Sequence, residues 1–278
     1  MARLFFFLLL LTACSANPYK ATNKVYKHEV RDSTRILGQA PLTPDADSVQ
    51  APPYWVGTIN FNLRKPNFVI IHHTAQNSCP ETLHTFTITK TQVSAHYVIC
   101  RDGTVHHMLN DYLRAWQAGA SKWGNVTDIN SISIGIELDN NGFEPFPDAQ
   151  INSLLHLLTR LKTDYNIPTG NFIGHGDIAP TRKNDPSSLF PWKTLADKGF
   201  GLWYNDTTGI AVPDNFSSLM ALRLIGYDIR DSSAATLAFK DISNRIPPAP
   251  GAIPTKKSFI PSISGMNNAP TAYLFFSE

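Results

Sequence analysis

The chain has 278 residues, 42% of them hydrophobic and 17% charged, with a formal net charge of +2. That is enough apolar material for one or two domains with a sizeable core, and too little charge for a disordered chain. The two signs are mixed along the sequence without a long basic run, which argues against a nucleic-acid partner.

Met1-Ala2-Arg3 gives a short positive start, and Leu4 to Leu11 form an unbroken apolar run. The run is far shorter than the ~20 residues a membrane-spanning helix needs, so residues 1–13 read as a signal peptide. It ends in Leu11-Thr12-Ala13-Cys14, which resembles the lipobox of bacterial lipoproteins. That resemblance implies acylation of Cys14 and stable anchoring to a membrane by two or more chains. The uncharged Ser15 that follows resembles outer-membrane sorting, so the expectation is an outer-membrane lipoprotein facing the periplasm. The alternative is an ordinary signal peptide with a chance cysteine.

Residues 14–52 are polar, carry Pro18, Pro41, Pro44, Pro52 and Pro53, and show no sustained period, as a tether would. Texture changes from Asn67. Phe68 to Ile71 predicts a short buried strand, and residues 78–93 contain a helix carrying Leu83, Phe86 and Ile88. His96 to Ile99, followed by Arg101-Asp102-Gly103-Thr104-Val105, predicts a hairpin with an Asp-Gly turn. Residues 131–138 alternate Ile132, Ile134, Ile136 and Leu138 against Ser133, Gly135 and Glu137, a half-polar strand. A helix opens at Pro147-Asp148, with Ile151, Leu154, Leu155, Leu158 and Leu161 on one stripe. Residues 171–174 form a last short strand, leading into the loop GHGDIAPTRKNDP at 174–186. Strands alternating with helices indicate an α/β domain over 53–205. In 206–278, helices are expected at 214–224 and 233–245, with a turn at Gly226-Tyr227-Asp228 and a Pro-rich tail from 247. With Cys14 set aside, Cys79 and Cys100 remain, and pairing or two free thiols are both open.

A metal hydrolase needs three N or O ligands with a position left for water, a carboxylate to take a proton, and a cation to steady an oxyanion. Matching residue types stand at the predicted strand ends. His72 and His73 follow the first strand, Glu137 sits on the polar face of the fourth, and His175, Lys183 and Asp185 lie in the loop after the last.

The stretches IIHHTA (70–75), SAHYVICRDGTV (94–105), SIGIELDN (133–140) and GHGDIAPTRKNDP with LFPW (174–192), in that order, resemble the zinc-dependent N-acetylmuramoyl-L-alanine amidases of the type 2 family. The nearest branch is the outer-membrane lipoprotein amidase and its cytosolic anhydro-muropeptide relative. The resemblance covers about Pro66 to Trp203 and implies a central mixed β-sheet flanked by helices. It makes His72, His175 and Asp185 the ligands of one Zn2+, with His73 a neighbour. Glu137 becomes the general base and Lys183 the oxyanion stabiliser, while Asp177 reads as a turn acid. The implied reaction is hydrolysis of the amide between N-acetylmuramic acid (or its anhydro form) and L-alanine, in peptidoglycan or muropeptides.

Two positions depart from the family pattern. Gln117 stands where similar proteins usually show histidine in Ala-Trp-His-Ala-Gly, and Ser187 stands where glycine is common. Trp116, Gln117 and His96 are candidate substrate contacts, with packing in the strand pair beside the site the competing reading for His96. Trp116 and Trp123 are candidate groove aromatics, with a core position the competing reading. His84, His106, His107 and His156 read as structural or surface residues. Residues 222–245 resemble the small helical peptidoglycan-binding module that follows this domain in the same branch, in degenerate form. The alternative reading is a non-catalytic peptidoglycan-binding lipoprotein, against which all three ligand positions speak. A zinc peptidase is disfavoured because no HExxH helix occurs. Oligomeric state is left open.

Overall fold

The computed structural model describes residues 17–38, 63, 65–203 and 211–243. The signal peptide, Cys14 and the Pro-rich tail lie outside the described residues. The chain divides into two compact units, Met1–Asn62 and Leu63–Glu278.

In the first unit, helix α1 (Lys20–Leu37) occupies part of the segment expected to be an aperiodic tether. The expectation is corrected for a local reason. The segment's prolines all fall outside Lys20–Leu37, and Lys, Arg and Glu within it are good helix formers. The Asn17 side chain accepts from the Tyr19 amide at 2.8 Å just before the first turn, and His28 and Asp32 pair one turn apart. The helix buries no residue, so only propensity and local pairs hold it.

The second unit is built on a mixed five-stranded sheet. Its strands are β1 (Phe68–His73), β2 (Tyr97–Ile99), β3 (Val105–His107), β4 (Ser133–Leu138) and β5 (Phe172–Gly174), in the order β3-β2-β4-β1-β5. β2, β4, β1 and β5 are parallel neighbours, and β3 adds antiparallel to β2 through the Arg101–Gly103 turn. Gly103 takes φ 88° there, the left-handed region where glycine carries no Cβ penalty.

β1 and β4 are central, and the two faces of the sheet differ. Val69, Ile71, Ile134, Ile136 and Leu138 pack against α4 (Asp148–Tyr165) through Leu154, Leu158 and Leu161. Ile70 and Ile173 pack on the other side with Ala118, Ile129 and Ile178. Successive strand residues point to opposite faces, so Ser133, Gly135 and Glu137 share the second face with Ile70 and His72. The alternation read as half-polar is real, but Ser133 and Gly135 are buried, covered by the chain around Gln117.

The expected helix over 78–93 is shorter. α2 (Cys79–Thr85) is N-capped by Ser78, whose side chain accepts from the Glu81 amide, and a separate 3-10 turn covers Thr89–Thr91. Cys79 and Cys100 form a disulfide that ties α2 to the end of β2. A short helix α3 (Ile129–Ile132) leads into β4. The stretch expected as a loop from Gly174 begins instead with a helical turn, α5 (His175–Ile178), because Asp177 turns back to accept from the Gly174 amide at 2.8 Å. The Leu-Phe-Pro-Trp stretch is a packing device. Phe190 and Trp192, the latter opening α6 (Trp192–Asp197), are buried edge to face at 4.8 Å beneath that turn.

The helices α7 (Ser218–Ile225) and α8 (Ser232–Ser243) fall within the second compact unit. Their small core of Leu222, Tyr227 and Ala235 is closed by Trp123. Trp123 therefore packs edge to face on Tyr227 at 5.0 Å and is a structural residue here. The Tyr227 hydroxyl donates to buried Asp177, joining these helices to α5.

Candidate metal centre

His72 ends up deep in the sheet because β1 runs on through it, and its register partner on β4 is Glu137. His175 opens α5, at the end of β5 on the other side of β1. Asp185 closes the same loop, joined to Pro186 by a cis peptide bond, and its carbonyl accepts from the Gly176 amide at 2.8 Å. All three side chains are buried. His72 Nδ1 lies 3.0 Å from His175 Nδ1 and 3.0 Å from Asp185 Oδ2, and His175 Nδ1 lies 3.1 Å from the same oxygen.

The other ring nitrogens decide what these three atoms can be. His72 Nε2 faces Gln117 Oε1 at 2.6 Å, and His175 Nε2 faces the Ala118 carbonyl at 3.1 Å. Both partners are acceptors, so in a neutral ring each Nε2 carries the proton and each Nδ1 presents a lone pair. Two lone pairs and a carboxylate oxygen then converge with no proton among them. A bound cation resolves that crowding. Tetrahedral ligands at 2.0–2.1 Å from a metal stand about 3.3 Å apart, close to the spacing seen. The residues fit a metal ion of N/O preference, with room for a non-protein ligand on the cleft side.

Without the metal, the electrostatics show the same competition. Burial is the largest influence on His72 and disfavours its charged form, but the Glu137 charge and the Asp185 contact together hold its pKa above the ordinary value. Burial and the neighbouring His72 charge push His175 down. Burial would raise Asp185, yet its hydrogen bonds to both rings outweigh this and hold it well below the carboxylate range.

Glu137 is raised, chiefly by burial, against the lowering effect of His72. Its Oε2 is buried without a protein hydrogen-bond partner. An orphaned carboxylate oxygen beside three candidate ligands is what a base for a water proton requires.

The cleft above the centre is lined by His72, Glu137, Gln117, Trp116, Lys183 and Arg182, with Thr82, Thr85 and Phe86 of the α2 region forming another wall. Lys183 is exposed at its mouth, and Trp116 is 53% exposed. Gln117, a candidate substrate contact by sequence, lines this cleft and also reaches inward. The structure puts it on His72, with its Nε2 donating to Ser133 Oγ at 2.8 Å. For His96 the structure takes the packing alternative. It is fully buried between strands, with Nε2 on the Leu113 carbonyl and Nδ1 accepting from the Gly135 amide, and it does not line the cleft. His73 faces away from the metal ligands, and its Nδ1 accepts from the Ser187 amide at 3.0 Å. A second convergence, Cys79, Cys100 and His106, offers no thiolate because its cysteines are bonded to each other.

Residues 62–188 match the N-acetylmuramoyl-L-alanine amidase family. The chain is 35% identical over 187 residues to the N-acetylmuramoyl-L-alanine amidase AmiD of Escherichia coli, covering 58% of this chain and 67% of that protein. It is 40% identical over 103 residues to the 1,6-anhydro-N-acetylmuramyl-L-alanine amidase AmpD of Haemophilus influenzae, covering 37% of this chain and a little over half, 56%, of that relative. The structure is similar to E. coli AmiD in complex with the substrate anhydro-N-acetylmuramic acid-L-Ala-D-gamma-Glu-L-Lys, with TM-score 0.59, 30% identity, and coverage of 68% of this chain and 84% of that one. It is also similar to AmpDh3 of Pseudomonas aeruginosa, with TM-score 0.59, 28% identity, and coverage of 73% and 90%.

Proposed function

We propose that this chain, which belongs to the N-acetylmuramoyl-L-alanine amidase family of type 2, hydrolyses the amide between the lactyl carbonyl of N-acetylmuramic acid, including its anhydro form, and L-alanine. The products are the sugar acid and a free stem peptide. The observation that carries this reading is the meeting of His72 Nδ1, His175 Nδ1 and Asp185 Oδ2, within 3.1 Å of one another, with the partnerless Oε2 of Glu137.

The metal is zinc in this reading, held by His72 Nδ1, His175 Nδ1 and Asp185 Oδ2, a set of borderline ligands that suits it. When bound, it acidifies a water and polarises the scissile carbonyl. The protein's own residues do the rest. Glu137 takes a proton from the attacking water as its oxygen bonds to the carbonyl carbon. The same carboxylic acid returns that proton to the alanine nitrogen as the C–N bond breaks, so the peptide leaves as a neutral amine. Lys183, at the mouth of the cleft, offsets the negative charge that develops on the former carbonyl oxygen. Trp116 offers an exposed aromatic face to the sugar or peptide.

The apolar run Leu4 to Leu11 followed by Cys14 supports a lipid-anchored protein of the outer membrane, facing the periplasm, where its muropeptide or peptidoglycan substrate would be met. Residues 14–62, with α1, would then link anchor to catalytic unit. The test of the reaction uses protein beginning after Cys14 with a defined anhydro-muropeptide. Mass spectrometry should show free stem peptide and intact sugar, abolished by chelator and restored by zinc. Unchanged substrate despite binding would favour the non-catalytic wall-binding alternative.

A further inference from the structure

Four hydrogen-bonding groups in series determine which nitrogen of His72 is free. The series starts at a group with no freedom, the Ile129 carbonyl, which can only accept. Ser133 has one hydroxyl proton and gives it to that carbonyl at 2.7 Å. Its oxygen is then an acceptor toward Gln117, so the amide atom facing it at 2.8 Å must be the NH2. The Gln117 amide is therefore turned with Oε1 toward His72 Nε2, at 2.6 Å. An acceptor there requires Nε2–H, and the lone pair of His72 is left on Nδ1, the atom aimed at His175 and Asp185.

The surroundings hold this relay rigid. Asn130 Oδ1 accepts from the backbone amides of both Gln117 and Ala118, at 3.1 and 2.9 Å. The Ala118 carbonyl then receives His175 Nε2, so two consecutive residues orient two of the three ligands. Gly135 leaves the space the Gln117 side chain fills, since a Cβ there would lie 2.6 Å from Gln117 Cγ. No ionisable group stands in the series between Ile129 and His72.

We propose that Gln117 is a positioning residue for the metal centre: oriented by Ser133, it fixes His72 as the Nε2–H tautomer and so presents Nδ1 for ligation. This deepens the zinc reading given above and rests on it. Gln117 then acts on the metal through His72, and a change there registers first in metal affinity.

The experiment measures zinc affinity by competition with a chromophoric chelator for the wild type and for Gln117→Ala, Gln117→Glu and Ser133→Ala. Losing an outer partner of a ligating histidine typically costs 10–100-fold in affinity, and that loss is expected for Gln117→Ala. Ser133→Ala frees the amide to rotate and should lose less, several-fold. Gln117→Glu, still an acceptor toward Nε2, should stay within a few-fold of wild type. In 15N-labelled, zinc-loaded wild type, His72 Nε2 should carry a slowly exchanging proton, and that exchange should quicken in Ser133→Ala. If Gln117→Ala does not fold, the other two variants and the exchange rate carry the decision. Wild-type affinity in both Gln117→Ala and Ser133→Ala, or ligation of His72 through Nε2, overturns the proposal. A wild-type protein that binds no zinc at all sinks the amidase reading instead, so the two failures are distinguishable.

Discussion

His72 on β1 and Glu137 on β4 are direct register partners in a parallel strand pair, with side chains on the same face of the sheet. The backbone hydrogen bonds that pair the two strands thus set the distance between the proposed metal ligand and the proposed base. Neither residue depends on a mobile loop for its place. The base should accordingly be removable without disturbing the metal. Glu137→Gln is expected to lower turnover on anhydro-muropeptide by about 10²–10⁴-fold, the usual contribution of a positioned base, with zinc content unchanged. Undiminished turnover in this variant, with zinc still bound, would falsify the role.

Zinc binding should weaken steeply on the acid side. The metal needs His72 unprotonated, and in the metal-free protein Glu137 and Asp185 hold its pKa above the ordinary histidine value despite burial. A raised pKa means that protons compete with zinc from a higher pH downward, so apparent affinity falls as pH drops through that value and levels off above it. Isothermal titration in a pH series checks this, and Glu137→Gln should move the onset to lower pH by removing the largest raising influence. Zinc should also raise the melting temperature, as any ligand of the folded state does. Asp185→Ala should abolish that increment.

The residue types of this centre were legible in the sequence for a physical reason, while their roles came only with the family resemblance. Strand ends, a period-2 alternation and a proline-shaped loop are local patterns, and His72, Glu137, His175 and Asp185 sit on them. What the sequence concealed depends on contacts between distant segments. Nothing in Ala115-Trp116-Gln117-Ala118-Gly119 says that Gln117 will lie over Gly135 and reach His72, 45 residues away. The one available clue was Ser133-x-Gly135-x-Glu137, where a small and a polar residue on the site face of a central strand leave room for a side chain from elsewhere. His96 shows the converse: sequence left it between a substrate contact and a packed strand residue, and only the two nitrogens bonded in the core decide for packing. The link from the C-terminal helices to α5, the Tyr227–Asp177 contact, is concealed in the same way because it spans 50 residues.

The disulfide should matter to stability and to the cleft together. Cys79 begins α2, whose Thr82 and Thr85 line the substrate cleft, and Cys100 lies at the end of β2. Closing a loop of 21 residues removes unfolded-state entropy worth about 3 kcal/mol. Reduction, or Cys79→Ser with Cys100→Ser, should lower unfolding stability by about 2–4 kcal/mol in denaturant titration. Because α2 is then held only by packing and by hydrogen bonds such as those of Gln76 and Thr91 to Thr85, KM should rise more than kcat falls. Equal stability with and without reductant would mean that the bond is unimportant to the fold.

Asp177 should make the protein less stable as pH rises from acid to neutral. Its carboxyl is buried behind the metal loop, and burial pushes its pKa up to about 7, against the lowering effect of the Tyr227 hydroxyl and the Gly174 amide, with Asp241 of α8 raising it further. An ordinary unfolded aspartate titrates near 3.8. Below that value both states are protonated and the folded form bears no penalty. As pH rises toward about 7 the unfolded state releases its proton first, so stability falls, and above about 7 the loss is complete. Asp177→Asn removes the titration but leaves one of its two partners facing an NH2 group, so it should lower stability at pH 4 yet flatten the slope between pH 4 and 7. Urea titrations at several pH values, on metal-free protein so that zinc uptake does not add its own pH dependence, read that slope directly. A slope in Asp177→Asn equal to the wild type's would place the titrating group elsewhere, with Asp241, itself raised by burial, the next to test.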